Sequence, residues 1–427
     1  MSKLLMLGTS AISVEMINYA KSQGVYTIVT DYFSPEKSKA KLVADEYWQI
    51  STNDINTLEE KCRQEGITAI TCGISEFNQD IALELCERLG LPNYATKNAW
   101  KFNRNKASFK RICKEVGALV ATDYHLSDAL TEEELCSVHF PVVVKPVDGW
   151  SNQGVSFCYS KEELVKAYHH ARSLSNNSTI IVEQLIKGQL HGSTYAFANG
   201  EAVLIDNITG YAQPGEPANF CSIITTINSD FGHYFDKMDS AAKRVLKHAG
   251  CKEGIAWVQY MHDTVSNDDY FIEMGYRLTG PCIFIPLGEI THFDAANWLV
   301  DCSLGRKHTL QDLPHGISWP LIPCACSYMV WTNREGTLAQ LQGLEELKKS
   351  PGIYVIENAL TPGDRITKYS QVCKILFNAK DCNELCDKIA QINSIFKVLD
   401  TEGNDMMIHY TDFETLKTNY ALSLTKS

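Results

Sequence analysis

The sequence predicts an α/β protein with several domains, and three observations lead to that prediction. The chain has 427 residues, which is too long for one small core and indicates about two to four domains. Short apolar strands alternate with amphipathic helices in the first part of the chain, as in open parallel sheets. Further on, apolar strands carry single charged residues, and short strands continue into the C-terminal region.

The first 100 residues predict an open parallel sheet covered by helices. Strands are expected at Lys3–Leu7, 25–30 and 67–72, and apolar residues at helical spacing predict a helix at 76–90. The turn after the first strand reads GTSAIS and lacks the G-x-G-x-x-G pattern of dinucleotide sites. The pattern therefore argues against a nucleotide cofactor in this domain.

Composition narrows the class of protein. The chain is 44% hydrophobic and 21% charged, and its net charge of -12 argues against a nucleic-acid partner. Fifteen cysteines, an odd number without a C-x-x-C pair, fit a reducing compartment better than a disulfide framework. No stretch approaches the ~18 apolar residues of a membrane span. We expect a soluble cytoplasmic protein with no membrane partner.

An acid and a base stand in an apolar stretch at 268–281, which reads DDYFIEMGYRLTGP. Strand alternation predicts that four of its residues share one face: Phe271, Glu273, Gly275 and Arg277. A buried charge without a partner costs several kcal/mol. The pair therefore indicates either a structural ion pair or a site for a metal or ligand.

The preceding strand adds a third polar side chain to this face. Residues 266–269 have turn composition, and a hairpin centred near Ser266 places Gln259 directly across from Glu273. Gln259, Glu273 and Arg277 are therefore expected to form one polar cluster on a single sheet face.

Two lysines upstream occupy unusual positions. Lys106 begins a predicted helix, where a cation opposes the helix dipole. Lys145 lies inside the apolar strand FPVVVKP, followed by a loop with small residues at Gly149, Ser151 and Gly154. Lysine next to such a loop favours an anion or phosphate site. An ordinary exposed lysine and a plain hairpin turn remain the alternatives.

Later segments supply a further strand and two loops. A strand is expected at 179–185 with Glu183 near its end, as a ligand contact or a satisfied structural acid. The segment 211–220 holds two prolines and a glycine and is expected to be a mobile loop, and 149–154 is a second candidate lid. Short strands and a final helix after 316 show no charged cluster.

The order and spacing of these segments resemble those of the ATP-grasp superfamily, and the resemblance covers nearly the whole chain. The segments that carry the resemblance are the helix with Lys106, FPVVVKP, IIVEQLIKG, GIAWVQY and FIEMGYRLTG. The closest likeness is to carbamoyl-phosphate synthetase halves, biotin carboxylase, purine-pathway ligases and stand-alone amino-acid ligases. The resemblance implies a parallel-sheet domain at 1–100, a two-part ATP-grasp domain at 101–315 with a lid at about 115–187, and an α+β portion at 316–427.

The resemblance also implies roles for individual residues. Contacts to ATP are implied for Lys106, Lys145, Ser151, Gly154, Glu183 and Leu185. Gln259 and Glu273 would hold Mg²⁺, with Mn²⁺ as an alternative, while Arg277 and Lys145 would act on the transferred phosphate and the acyl substrate. Magnesium suits oxygen donors that share it with phosphates.

Two positions depart from the family pattern. Asn usually stands two residues after the metal-binding Glu, and here that residue is Gly275. An acid that holds the ribose is usual at the position of Leu190, where the neighbouring His191 is the expected substitute.

The activity implied is ligation of a carboxylate to an amine with release of ADP and phosphate. Its partners would be a small-molecule acid and amine, and a homodimer is expected. A carboxylase that makes carboxyphosphate from bicarbonate and a non-catalytic nucleotide-binding protein remain alternatives. The substrate pocket is expected near 211–225 and 277–281, with parts of the C-terminal region.

Overall fold

A computed structural model of the chain describes residues 2–10, 12–146, 154–175, 179–227, 237–315, 317, 319, 321, 323–358 and 360–425. Strands and helices are numbered below in chain order.

The N-terminal region is a four-stranded parallel sheet with helices, as predicted. Its strands are β1 (Lys3–Leu7), β2 (Tyr26–Thr30), β3 (Glu46–Trp48) and β4 (Ala69–Thr71), in the order β3-β2-β1-β4. Its helices are α1 (Ser13–Ser22), α2 (Lys39–Val43), α3 (Ile55–Glu65) and α4 (Glu76–Leu89), with a 3-10 turn at Pro35–Lys37. Helix α4 begins where Ser75 accepts a hydrogen bond from the N–H of Asn78 and ends at Gly90 in the left-handed conformation.

Two helices lead into a smaller antiparallel sheet. The helices are α5 (Lys97–Arg104) and α6 (Lys106–Glu115). The sheet has the order β5-β8-β6-β7, with strands β5 (Asp123–Tyr124), β6 (Val142–Pro146), β7 (Ser156–Cys158) and β8 (Ile180–Gln184). Helices α7 (Glu132–Ser137) and α8 (Lys161–Leu174) accompany it, and α8 packs on β6. We call this unit the lid sheet.

An eight-stranded antiparallel sheet organises the rest of the chain, in the order β13-β12-β9-β10-β11-β14-β18-β16. Its strands are β9 (Gly188–Ala198), β10 (Glu201–Ala212), β11 (Cys221–Thr225), β12 (Gly254–Asp263), β13 (Asp268–Gly275), β14 (Cys324–Trp331), β16 (Ile353–Glu357) and β18 (Gln371–Ala379). A three-stranded sheet joins β17 (Arg365–Ile366), β15 (Gly336–Gln342) and β19 (Lys397–Asp400).

Six helices complete the described part of the chain. They are α9 (Asp239–Ala249), α10 (Phe284–Thr291), α11 (Ala295–Ser303), α12 (Leu344–Lys349), α13 (Cys382–Ile395) and α14 (Phe413–Thr425), with a 3-10 turn at Leu310–Asp312. Among the helices described, none has the length and apolar character needed to cross a membrane.

Two large cores stabilise the eight-stranded sheet. One joins its β9–β12 end to the N-terminal region and to α5, α6 and α9. The other lies between β14, β18 and helix α13, and Phe377 is fully buried within it. Because β11 pairs with β14, strands from 101–315 and from 316–427 belong to one continuous sheet. The domain division expected at residue 316 therefore falls inside a shared sheet.

Candidate active site

The β12–β13 hairpin forms one wall of the candidate site. Gln259 lies directly opposite Glu273, which confirms the predicted register, and Trp257 lies opposite Gly275. Antiparallel partners share a sheet face, and β9 and β10 extend both rows. The first row is Glu273, Gln259, Gly192 and Ile208, and the second is Gly275, Trp257, Thr194 and Asp206. We call this surface the cleft face.

The hairpin departs from strict alternation at Ile272. The register shifts after Gln259, so that Phe271 pairs with Tyr260. Phe271 is 2% exposed and packs into the core behind the sheet. The expectation that Phe271 shares the face of Glu273 is therefore wrong, because one extra residue in β13 reverses the alternation. The turn of the hairpin also lies slightly earlier than predicted, at 264–267.

Lys106 reaches the cleft face from the start of α6. Asn105 caps this helix by accepting a hydrogen bond from the N–H of Ser108. The ammonium of Lys106 lies 3.8 Å from the carboxylate of Glu273, and the two side chains are 45% and 35% exposed. Such a half-exposed ion pair contributes only about 0–1 kcal/mol to stability. The position of Lys106 is thus better suited to binding an anion than to holding the helix.

Lys145 belongs to a buried ionic cluster on the lid sheet. Lys145 and Lys110 both donate to the carboxylate of Glu183, Lys110 at 2.6 Å, and Lys110 also donates to Asp123. Burial favours the neutral acid, but the two ammonium groups outweigh it and hold the pKa of Glu183 below its ordinary value. Burial lowers the pKa of Lys145, with Glu183 opposing and Lys106 adding to the effect. Lys106 therefore stands between this cluster and the β13 wall.

Arg277 follows β13 and connects the cleft to the N-terminal region. Its guanidinium donates to Glu76 and to the carbonyl of Leu278, both at 2.7 Å, and lies 5.3 Å from the ring centre of Trp257. Burial raises the pKa of Glu76, but Arg277 outweighs this effect and the pKa lies below its usual range. Nε of Arg277 is buried and has no hydrogen-bond partner among the described residues.

The indole of Trp257 leaves no room for a side chain at position 275. A Cβ built at Gly275 would lie 2.0 Å from Cε2 and 2.5 Å from Nε1 of Trp257, so the indole fills the space of a larger side chain. Trp257 is 7% exposed, and its Nε1 has no hydrogen-bond partner within the described parts of the chain. An N–H donor therefore lies where the resemblance leads one to expect the oxygen of Asn. Because a donor cannot ligate a metal, one expected metal ligand is missing here.

His191 does not lie on the cleft face. It pairs with Tyr260, the residue after Gln259, and stacks on that ring with 5.2 Å between ring centres. Its Nδ1 lies 3.1 Å from the hydroxyl of Thr209, and its side chain is buried. The expectation that His191 holds a ribose is therefore wrong, because strand alternation turns the ring away from Gln259 and Glu273.

Leu185 and Gly154, which are also expected to contact ATP, lie in the described part of the chain. The N–H of Leu185 donates to the carbonyl of Pro141 at 3.0 Å, which leaves the carbonyl of Leu185 for a base. Gly154 has a φ of +75°, and a Cβ there would crowd Pro146 at 3.0 Å. Ser151 lies outside the described residues. The roles of Leu185, Gly154 and Glu183 toward adenine and phosphate stay predictions.

Sequence reasoning missed three residues of this region. Lys110 lies one turn after Lys106 on α6, and that i,i+4 spacing was the available signal. Trp257 stands two residues before Gln259, on the same face of β12. Asp206 lies opposite Thr194 on β10, and burial raises its pKa to about 7 while Thr194 lowers it by less. Nothing local marked Asp206, because its burial depends on long-range strand pairing.

The loop expected to be mobile is attached to the C-terminal part of the chain. Phe220 stacks on Tyr369 with 4.0 Å between ring centres, and the hydroxyl of Tyr369 donates to Glu216 at 2.7 Å. Gln213 accepts a hydrogen bond from the N–H of Thr411 at 2.8 Å. Residues 211–220 thus contact the C-terminal part of the chain through three side chains, and the mobility of the loop stays a prediction.

The side chains present suit a nucleotide with a divalent ion. Lys106 and Lys145 supply cations for phosphates, and Glu273 with Gln259 supplies one charged and one neutral oxygen donor, which fits Mg²⁺ shared with phosphate. The buried N–H donors of Trp257 and Arg277 lack partners in the described structure, and such donors are costly unless a ligand satisfies them. The residues therefore fit the group, with fewer protein ligands to metal than expected.

Comparisons with known proteins agree with this geometry. Residues 105–283 match the family described as carbamoyl-phosphate synthase L chain, ATP binding domain. A formate-dependent phosphoribosylglycinamide formyltransferase of Methanococcus vannielii is 28% identical over 188 residues, which cover 43% of this chain and 48% of that protein. The enzyme of the same name from Bacteroides thetaiotaomicron is 25% identical over 65% of this chain and 71% of its own. The chain thus spans about half the length of the first of these curated relatives.

Solved structures share the fold over the whole chain. The L-amino acid ligase of Bacillus licheniformis has a TM-score of 0.76 at 16% identity, and covers 94% of this chain and 99% of its own. The biotin carboxylase of Campylobacter jejuni has a TM-score of 0.75 at 15% identity, and covers 100% of this chain and 99% of its own. Residues 105–283 thus match a family of ATP-binding domains, and the chain shares its fold with these ligase and carboxylase structures.

Proposed function

We propose that the protein is an ATP-dependent ligase that joins a carboxylate to an amine and releases ADP and phosphate. The observation that carries this proposal is the position of Lys106, 3.8 Å from Glu273 and next to the Lys145–Glu183 cluster. In the proposal, these cations and the oxygen donors of β12 and β13 face one cleft. Phosphoryl transfer depends mainly on positioning and neutralisation of charge, and needs no covalent side chain.

Lys106 and Lys145 would bind the phosphates of ATP in this proposal. Lys145 pairs with Glu183 in the structure, and its ammonium would exchange that carboxylate for phosphate oxygens while Lys110 keeps Glu183 charged. Glu273 and Gln259 would hold Mg²⁺, or Mn²⁺ in its place. The bound ion would supply neutralisation of the phosphate charge.

Arg277 and Trp257 would receive the carboxylate substrate. Both have a buried N–H without a partner among the residues described, Nε in Arg277 and Nε1 in Trp257. Their side chains are in contact, since the guanidinium lies 5.3 Å from the ring centre. Each donor would give one hydrogen bond to a carboxylate oxygen, and a hydrogen bond to a charged group contributes about 1.5–3 kcal/mol.

The reaction would proceed in two displacements. An oxygen of the carboxylate bonds to the γ-phosphorus of ATP as the bond from that phosphorus to the bridging oxygen of ADP breaks, which gives an acyl phosphate. The amine nitrogen then bonds to the acyl carbon, the bond from carbon to the phosphate oxygen breaks, and the amine loses a proton. Water would hydrolyse the acyl phosphate, so closure of the lid sheet over the cleft is part of the proposal.

The proposal also covers the substrates, the compartment and the oligomeric state of the enzyme. Its acid and amine would be small molecules in the cytoplasm, the chain would act as a homodimer, and its functional units would be 1–100, 101–315 and 316–427. Sedimentation equilibrium of the purified chain tests the dimer, which a monomer at micromolar concentration would contradict.

The direct test is an assay of nucleotide products with pairs of acids and amines. We expect ADP and phosphate to form only when a suitable carboxylate and amine are both present. Glu273→Gln should reduce the rate at least ~100-fold, as loss of one electrostatic contact to the transferring group does. Glu357→Gln, on strand β16 of the same sheet, is the matched control and should leave the rate unchanged.

Other products would point to other functions. Formation of AMP and pyrophosphate would contradict the proposal. ADP formation that depends on bicarbonate instead of an amine pair would support a carboxylase. Binding of ATP without turnover for any acceptor would support a non-catalytic nucleotide-binding protein.

A further inference from the structure

A second group of possible ligands lies away from the cleft, where β12 begins. Glu253 precedes β12, Cys302 lies at the end of α11, and His308 follows in the next loop. Their ligand atoms all lie within 4.8 Å of one another. Glu253 is six residues from Gln259 along an extended strand, which is about 20 Å. The group is therefore separate from the cleft face.

The spacing of the sulfur and nitrogen atoms suits a tetrahedral metal. Sγ of Cys302 lies 3.8 Å from Nδ1 of His308. Zn–S and Zn–N bonds of about 2.3 and 2.05 Å at a tetrahedral angle give an S···N separation of about 3.6 Å. The two atoms are thus close to metal-bridged positions, at a separation that a hydrogen bond between sulfur and nitrogen also reaches.

One carboxylate oxygen in this group lacks a partner. Oε1 of Glu253 accepts a hydrogen bond from the N–H of Asn199 at 3.2 Å. Oε2 of Glu253 is buried and accepts none from any residue that the structure describes. A buried carboxylate oxygen without a donor or cation is costly, and a metal ion between Glu253, Cys302 and His308 would remove that cost.

The ring of His308 is held by stacking and has an acid nearby. Its ring stacks on Trp298 with 3.9 Å between ring centres and 22° between planes. With Nδ1 toward Cys302, the other nitrogen, Nε2, lies 3.8 Å from the carboxylate of Asp301. This separation is longer than a hydrogen bond, and a closer approach would make Asp301 the acid support that is usual behind a metal-binding histidine. Arg306 and Tyr19 hold that acid in turn, at 2.6 and 2.9 Å.

We propose that Glu253, Cys302 and His308 bind one transition-metal ion of the Zn²⁺ class. Sulfur, imidazole and carboxylate together favour a borderline-soft divalent ion over Mg²⁺. A thiolate and a carboxylate carry two negative charges, which balance the ion. Binding replaces the thiol proton of Cys302 by the metal, and the proton passes to solvent. The ion ties the end of α11 and its following loop to the start of β12, and water takes the fourth position.

The test uses the full chain stripped with a chelator and then titrated with Zn²⁺ or Co²⁺. We expect one equivalent to bind, with the near-ultraviolet thiolate band and strong visible bands of tetrahedral Co²⁺. Cys302→Ser and His308→Gln should each weaken binding by ~100-fold or more, since changes even behind the ligands cost 10–100-fold. Cys136→Ser, which removes the exposed thiol, is the matched control and should bind as the parent does.

The variants show whether the metal binds at Cys302 or at another thiol of the chain. Loss of the thiolate band in folded Cys302→Ser, with Glu253→Gln weakened as well, supports the proposal. Unchanged affinity in folded Cys302→Ser or His308→Gln overturns it, as does the absence of any bound equivalent in the parent. Circular dichroism establishes folding, and if Cys302→Ser is unfolded, Glu253→Gln and His308→Gln decide. The result is independent of ATP turnover.

Discussion

The two ends of the eight-stranded sheet use their polar groups in different ways. At the β14–β18 end, the buried hydroxyl of Tyr328 donates to Asn393 at 2.7 Å and accepts the N–H of Tyr410 at 2.9 Å. At the β12–β13 end, the N–H groups of Trp257 and Arg277 are buried without partners among the described residues. The chain itself satisfies the hydroxyl of Tyr328, whereas in our proposal a substrate would satisfy Trp257 and Arg277.

The largest expected effect is loss of stability when the core at the β14–β18 end is truncated. Phe377 is fully buried in the core against α13, and Phe377→Ala leaves a cavity that should cost about 3–5 kcal/mol in the free energy of unfolding. Urea unfolding followed by circular dichroism measures this cost. Glu273→Gln, at the cleft end, is the comparison and should change stability by less than ~1 kcal/mol. A cost below ~1 kcal/mol for Phe377→Ala would contradict the account of that core.

The next effect concerns a buried acid of the cleft face. Burial raises the pKa of Asp206 from 3.8 to about 7, so between these values the folded chain binds a proton that the unfolded chain has lost. Stability should therefore fall as pH rises through this window, by up to ~4 kcal/mol. Asp206→Asn should remove that fall.

Urea unfolding at pH 5 and pH 8 measures the contribution of Asp206. The parent should lose stability relative to Asp206→Asn at the higher pH. Asp387→Asn, an exposed acid on α13, is the control and should follow the parent at both values. Parallel pH dependence of the parent and Asp206→Asn would show that Asp206 is charged in the folded chain.

A smaller effect sharpens the comparison between the two ends. Trp257→Phe removes one N–H and keeps most of the ring, so KM for the carboxylate should rise about tenfold or more with little change in melting temperature. Trp331→Phe, whose indole donates to the carbonyl of Cys221 at 2.8 Å, should lower stability by about 1 kcal/mol and leave KM unchanged. Steady-state kinetics and thermal melting of both variants give the answer, and the reverse pattern would show that Trp257 has only a packing role.

Local pattern was sufficient for most of the fold. The parallel N-terminal sheet and the pairing of Gln259 with Glu273 follow from apolar runs, turn composition and the register of a short hairpin. The bulge at Ile272 could not be predicted, because one inserted residue leaves no signal in composition and yet moves Phe271 to the other face. The shared sheet across residue 316 depends on pairing between β11 and β14, about 100 residues apart in the chain.

Local pattern also indicated some residues of the candidate site, whose roles stay predictions. Lys145 and Glu273 are conspicuous because charges in apolar strands require partners. His191 was misplaced because its face depends on the register of β9 against β12. The steric reason for Gly275 is visible only when the indole of Trp257 lies over it, and Asp206 is buried only once β10 has paired.

Calorimetric titration of the full chain with ATP and Mg²⁺ measures directly whether Lys145 binds the nucleotide. We expect one binding site in the parent, and Lys145→Met should raise Kd at least about tenfold, as loss of a hydrogen bond to a charged group does. Lys166→Met, an exposed lysine on helix α8 of the same lid, should bind as the parent does. Equal affinity of the parent and Lys145→Met, or no binding by the folded parent, would contradict the account.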